Sequence, residues 1–191
     1  MRPLAVEEVR TPSAYEPVRA EAMRHALEQR LVRSVAVGGR LSLLFENRVT
    51  VAGALEEQLR AAQIDEPERI AEEVAVFNAL IPGDGELGAT LFLEAEDAAA
   101  QGRLLRELPR ISGHLHLEVD GERAERLEAG PSGPEHGDEP VEHLRFRLTD
   151  AQRAALSAGG EVAVVCDHPG HRARTVLDEA QRRALAEDLG R

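Results

Sequence analysis

The sequence SVAVGGRLSLLFEN (residues 34–47) decides the fold class, because its apolar pattern predicts strands where the preceding residues predict a helix. Two short apolar runs flank Gly38-Gly39, and a Gly-Gly pair between such runs is typical of a β-hairpin turn. A second hairpin is predicted at HLHLEVDGERAERL (residues 114–127), with Asp120-Gly121 as its turn. Hairpins join antiparallel neighbours, so the sheet is predicted to be mostly antiparallel.

Amphipathic helices are predicted around these hairpins. The first, from about residue 14 to 33, has Val18, Ala22, Ala26 and Leu31 at helical spacing. Thr11-Pro12 and Asp65 are predicted to begin helices. Strands and helices without regular βαβ alternation predict an α+β fold, with a mostly antiparallel sheet and several packed helices.

A short repeat occurs in the last third of the chain. Residues 148–156 and 177–185 match at an offset of 29 residues, and each copy follows a predicted strand. Thr149 and Asp178 are predicted helix caps, each with Gln three residues later. Because the shared residues are capping residues, we interpret the repeat as two strand–helix units rather than as a catalytic motif.

The length of 191 residues suits a single domain over residues 1–191. Residues 1–112 and 113–191 could form an N-terminal and a C-terminal part of it. Six of the thirteen residues from 128 to 140 are Gly or Pro, which predicts a mobile loop or linker.

The charge of the chain argues against nucleic-acid binding. A net charge of −12 and 3% aromatic residues oppose both phosphate contacts and base stacking. The charge is uneven, since residues 1–64 have a net charge of +1 and residues 65–191 have −13. This asymmetry could orient a charged partner, or it could reflect solvated helix faces.

Targeting and catalytic motifs are missing from the sequence. The first ten residues have no apolar signal-peptide region, and no apolar stretch is long enough for a membrane span. A single cysteine suits a reducing compartment, so we expect a cytoplasmic protein. We find no nucleotide-binding fingerprint and no nucleophile elbow, so no catalytic residue is assigned.

Two short segments combine potential metal ligands. CDHPGH (residues 166–171) contains one thiol, one carboxylate and two imidazoles, from Cys166, Asp167, His168 and His171. The spacing Cys-x-His-x-x-His is not that of a standard zinc site, so a strand followed by a turn is favoured over a metal site. In HLHLE (residues 114–118), two His and one Glu alternate along a strand. They would project from one face, either as part of a metal site or as the solvated side of a hairpin.

The segment VEHLRFRL (residues 141–148) predicts a strand with Leu144 and Phe146 facing inward. Glu142 then also faces inward, which is costly unless it is paired or lies at a sheet edge. Arg145 and Arg147 lie on the other face, beside His143, where they could bind an anion.

Several segments together resemble one family. Five segments occur in the order that is typical of bacterial proteins of the domain-of-unknown-function 3501 family, namely LSLLFENRVT, EEVAVFNALIP, ATLFLE, HLRFRL and CDHPGH. The resemblance runs from about Tyr15 to Leu189. It highlights Phe45, Glu46, Asn47, Thr50, Asn78, Pro82, Glu94, Arg145, Asp167, His168 and Pro169. The chain departs from the family pattern at Glu142-His143, where a His and an aromatic residue are expected, and at His171, where an aromatic residue is expected.

The resemblance implies a redox or peroxide-defence setting, because members are often encoded near rubrerythrin-like and iron–sulfur proteins. We therefore expect an accessory protein that docks on such a redox partner. The alternative is a metal-binding protein or small metalloenzyme, with iron or zinc bound by Glu46, Glu94, Glu142 and His168. Convergence of those four side chains would favour the alternative. An anion binder that uses Arg145 and Arg147 is a third hypothesis.

Overall fold

The computed structural model describes residues 1–127 and 142–190. The loop predicted at residues 128–140 lies outside the described residues. The α-helices are α1 (Pro12–Tyr15), α2 (Arg19–Leu31), α3 (Arg48–Ala61), α4 (Pro67–Asn78), α5 (Ala98–Glu107), α6 (Asp150–Ser157) and α7 (Glu179–Leu189). The strands are β1 (Ser34–Val37), β2 (Leu41–Glu46), β3 (Glu86–Leu93), β4 (Leu115–Val119), β5 (Glu122–Arg123), β6 (Glu125–Leu127), β7 (Glu142–Arg147), β8 (Val162–His168) and β9 (His171–Val176).

Within the described residues the strands form two antiparallel sheets. The first has the order β1-β2-β3-β7-β6 and the second has the order β5-β4-β8-β9. Every strand pair is antiparallel, including both predicted hairpins. The α+β fold with a mostly antiparallel sheet and packed helices is confirmed.

Two apolar cores stabilise the packing of the sheets and helices. The larger core joins side chains of both sheets, such as Phe45 and Phe146 from the first and Leu117 and Val164 from the second. The smaller core packs α3 against α4 and the N-terminal segment, around Leu55 and Phe77 among others. Aliphatic side chains fill most of both cores, as the low aromatic content predicts.

Side chains of the second sheet cover the edge of β1. His171 Nε2 donates to the carbonyl of Val37 over 2.8 Å, and Thr175 Oγ1 donates to that of Ala36 over 2.8 Å. Gln181 of α7 donates to the carbonyl of Ser34. These bonds satisfy backbone groups that an open sheet edge would leave exposed.

The helix boundaries confirm some predictions and correct others. Thr149 and Asp178 cap α6 and α7, each in a capping box with the predicted Gln. The predicted first helix is divided into α1, a 3-10 turn and α2, because Pro17 has no N–H to donate. The Asp65 cap is wrong: α4 begins after Glu66, and Pro67 at its first position sets the start.

No helix within residues 1–127 and 142–190 is both long and apolar enough to cross a membrane. The single domain and its possible division into residues 1–112 and 113–191 stay predictions.

Candidate functional site

The four residues predicted as metal ligands do not lie on one sheet but are distributed over both. They are Glu46, Glu94, Glu142 and His168. Glu46 pairs with Gly88 at one end of the β2–β3 ladder, and Glu94 follows β3 at the other end. The five steps from Leu41 to Glu46 correspond to about 17 Å of strand. Glu142 is exposed on β7, and His168 ends β8 in the other sheet.

In the part of the chain that the structure describes, no three His, Cys, Asp or Glu side chains are grouped so as to hold a metal ion. Glu142 is exposed at the first position of β7, although strand alternation gives it the same face as the buried Leu144 and Phe146. This is the position at the end of a strand that the sequence left open for an unpaired carboxylate. Iron or zinc binding by these four residues stays a prediction.

Glu46, Asn47 and Thr50 join β2 to α3. The Asn47 side chain accepts hydrogen bonds from the backbone N–H groups of Val49 and Thr50. Glu46 accepts from the hydroxyl of Thr50 over 2.5 Å and from that of Thr90, on β3, over 2.6 Å. The buried Glu46 carboxylate therefore links two strands and a helix, which gives the FEN…T segment a structural role.

Asn78 and Arg145 fix the end of α4 and the N-terminal segment. The Asn78 side chain accepts from the Leu4 N–H over 2.7 Å and donates to the Leu4 carbonyl over 2.9 Å. Arg145 donates to the carbonyls of Ala79 and Ile81. Arg145 therefore caps a helix end, a role that competes with anion binding.

HLHLE and CDHPGH lie side by side. β4 pairs with β8, with Leu115 opposite Cys166. His114 donates from Nδ1 to Asp167 over 2.9 Å, and its ring packs edge-on against His168 at 4.8 Å between centroids. The sequence pattern alone could not reveal this contact, because it depends on pairing between strands about 50 residues apart.

The His–Asp cluster consists of His114, His116, Asp167 and His168, and two of its groups, His116 and Asp167, have shifted pKa values. Burial lowers the pKa of His116, since the imidazolium loses water, and the nearby Arg123 adds to this effect. The hydrogen bond from His114 lowers the pKa of Asp167. His168 Nδ1 accepts from the Gly170 N–H over 3.0 Å, so the neutral ring carries its proton on Nε2.

Cys166 is buried, and its thiol donates to the His171 carbonyl. Burial raises the thiol pKa, which argues against a nucleophilic role. CDHPGH forms the end of β8, a turn at Pro169-Gly170 and the start of β9, as predicted.

A groove between α2 and α3 is a second feature that the sequence pattern did not indicate. It encloses about 600 Å3. Its walls consist mainly of small or apolar side chains, with a few charged and polar groups. The residues that line it are Tyr15, Met23, Arg24, Ala26, Leu27, Arg30, Thr50, Gly53, Ala54, Glu57, Gln58 and Ala61.

The outer side of this groove is an exposed apolar stripe on α2. Met23, Leu27 and Leu31 are 44%, 57% and 69% exposed, at a spacing of four residues. No residue of α2 is fully buried, although the helix has 13 residues. The predicted apolar stripe of the first helix is only partly correct, because Ala22 and Ala26 are half-buried while Val18 and Leu31 are exposed.

Comparison with known proteins gives the family. A family model described as "Protein of unknown function (DUF3501)" matches residues 3–189. The chain belongs to this family. A crystal structure of a novel protein of unknown function from Burkholderia pseudomallei is similar over 98% of this chain and 100% of that chain, with 30% sequence identity and a TM-score of 0.87. A search of curated proteins gave no match.

The resemblance to the DUF3501 family is thus confirmed, and its two most specific segments have structural roles in this chain. The FEN…T segment joins β2, β3 and α3, and Asn78 of the FNALIP segment fixes the N-terminal residues. The α2–α3 groove is built mainly from other positions.

Proposed function

We propose that this DUF3501 protein is an accessory protein that docks on a redox partner through its α2–α3 groove. The partner class, a rubrerythrin-like or iron–sulfur protein, is the one that the family resemblance implies. The exposed stripe of Met23, Leu27 and Leu31 is the observation that carries the proposal.

The free energy available from this stripe supports docking. Burying a whole Leu or Met side chain contributes about 1.5–3 kcal/mol. Leu27 and Leu31 expose more than half of their surface in the described structure, so much of that free energy remains for a partner to gain. Contiguous apolar surface of this kind marks interaction sites in soluble proteins.

The α2 stripe differs from the exposed apolar side chains on the other helices that the structure describes. Val76 on α4 and Leu105 on α5 are about as exposed as Val18, at 40% and 39%, but each occurs singly on its helix. Single exposed apolar residues are ordinary on protein surfaces. These two positions therefore provide matched controls for substitutions in the stripe.

Isothermal titration calorimetry tests the proposal. The titrants are purified rubrerythrin-like and iron–sulfur proteins that are encoded near the gene for this protein. Each is titrated into the wild-type protein and into the variants Leu27→Ser and Val76→Ser. We expect saturable binding of one such protein, weakened about tenfold or more by Leu27→Ser and unchanged by Val76→Ser. Absence of binding by every candidate, or equal weakening by both variants, would overturn the proposal.

A further inference from the structure

The α2–α3 groove has the dimensions of a helix-binding site. Its α3 wall runs from Thr50 through Ala54 to Ala61, positions that share one face of the helix. The 11 steps from Thr50 to Ala61 correspond to about 16 Å at 1.5 Å per residue, or three helical turns. An amphipathic helix presents apolar anchors over the same distance.

Small side chains allow the close approach of the two walls. A Cβ atom added to Gly53 would lie 3.1 Å from the Cβ of Ala26, so the helices contact each other at this point. Ala54 and Ala61 line the groove without filling it. An incoming helix could therefore pack against α2 and α3 together, as the third member of a helical layer.

The unbalanced charge of the groove is positive. The Glu57 carboxylate lies 2.8 Å from Nε of Arg19 and 3.4 Å from Nε of Arg60, and these two arginines neutralise it. Arg24 and Arg30 also line the groove, and neither makes an ion pair with a described residue. They are six residues apart on α2, which corresponds to about 9 Å along the helix axis.

This charge pattern disfavours a second copy of the chain as the occupant. Arg24 and Arg30 lie three residues before and three residues after Leu27. A twofold pairing of α2 with itself about Leu27 would place Arg24 against Arg30 of the other copy twice. Like charges in such an interface oppose association.

We infer that the occupant is an amphipathic helix of the partner, with apolar residues at helical spacing and carboxylates about two turns apart that pair with Arg24 and Arg30. The inference rests on the proposed function and names the chemistry of the partner segment. Arginine donates two parallel N–H hydrogen bonds to the two oxygens of a carboxylate, which makes the pairing directional.

Fluorescence anisotropy with labelled synthetic peptides tests this inference. One peptide has Leu at positions 1, 5, 8 and 12 of a capped helical sequence, with Glu at two flanking positions seven residues apart. The matched peptide has Arg in place of both Glu. We expect the acidic peptide to bind wild-type protein about tenfold or more tightly than the basic peptide, with a preference that weakens in high salt.

Charge reversal in the protein provides the decisive comparison. The double variant Arg24→Glu/Arg30→Glu should lose the acidic peptide and gain the basic one. The control is Arg69→Glu/Arg103→Glu, which changes the net charge equally at exposed positions on α4 and α5 and should keep the wild-type preference. Equal binding of the two peptides, or the same reversal in the control, would overturn the inference.

The outcomes separate this inference from the proposed function. If a redox protein binds in a Leu27-dependent way while Arg24→Glu/Arg30→Glu has no effect on it, the proposed function stands and the acidic-helix inference fails. If the acidic peptide binds and no redox protein does, the proposed partner class is wrong, while the inference that the groove binds an acidic amphipathic helix is supported. Self-association in sedimentation velocity that Leu27→Ser abolishes would assign the groove to a second copy and overturn the inference.

Discussion

Alanine at Gly38 should destabilise the protein more than alanine at Gly39, although the two glycines are neighbours in one turn. Both have positive φ angles, +67° for Gly38 and +75° for Gly39. A side chain in this region costs about 1–2 kcal/mol. Both substitutions also reduce the entropy of the unfolded chain equally, which partly offsets that cost. These two contributions cancel in the comparison.

The remaining difference comes from what the new methyl group would touch. At Gly38 a Cβ atom would lie 2.7 Å from Cε1 of His171 and 2.8 Å from the Cβ of Ala173, whereas at Gly39 nothing lies within 4 Å. His171 is buried and donates to the Val37 carbonyl, so it cannot move without losing that bond. Overpacking of this kind costs about 1–3 kcal/mol, which is the expected difference between the two variants.

Urea unfolding followed by far-ultraviolet circular dichroism measures this difference. The two variants should have similar m-values, so that the change in midpoint reports stability. The double variant Gly38→Ala/His171→Ala should recover part of the loss relative to the sum of the single variants, because it removes the close contact with His171 and leaves the one with Ala173. Free energies of unfolding that agree within about 0.5 kcal/mol for Gly38→Ala and Gly39→Ala would refute the reasoning.

Three further predictions concern charged and ionisable groups. Asp188→Ala should cost about 3–5 kcal/mol in urea unfolding, because it leaves the buried guanidinium of Arg33 without its bidentate partner. Tyr15 should ionise with a pKa of about 12, raised by burial and by Glu57, and absorbance at alkaline pH reports it alone because the chain has one Tyr and no Trp. Stability should fall as the pH drops below 6.5, and His116→Leu should reduce this dependence in urea unfolding at a series of pH values.

The sign of the His116 effect follows from proton binding. Burial places the folded-state pKa below the ordinary value of 6.5, so the unfolded chain binds more protons as the pH falls through 6.5 toward the folded-state value. The stabilisation is therefore complete above pH 6.5 and is lost below it. An unchanged pH profile in His116→Leu would contradict this assignment.

The other two predictions have equally direct controls. Glu179→Ala, which removes an exposed pair with Arg183, should cost less than about 0.5 kcal/mol, and a similar loss in Asp188→Ala would show that burial of the pair does not matter. For Tyr15, unfolding in urea should return its pKa to near 10.0, and Glu57→Gln should lower the folded-state pKa only in part. A folded-state pKa near 10.0 would mean that the phenol is solvated.

The elements that could be predicted from the sequence are those with a local cause. The hairpin at Gly38-Gly39 and the caps at Thr149 and Asp178 depend on residues within a few positions of each other. The hydrogen bonds that residues of these two capping boxes make with distant parts of the chain could not be predicted. Gln152 and Gln181 also donate to the carbonyls of Glu122 and Ser34, which requires knowing which strand ends beside each helix.

The orientation of α2 explains why the groove cannot be predicted from the sequence. A helix with apolar residues on more than one side can bury either side, and its packing partner decides which. Here α3 approaches α2 closely at Gly53, and only a small residue such as Ala26 fits there. The alanine side therefore packs inward, and the larger Met23 and Leu27 remain on the surface. Because the choice depends on a glycine 27 positions away, the hydrophobic periodicity of α2 alone cannot reveal it.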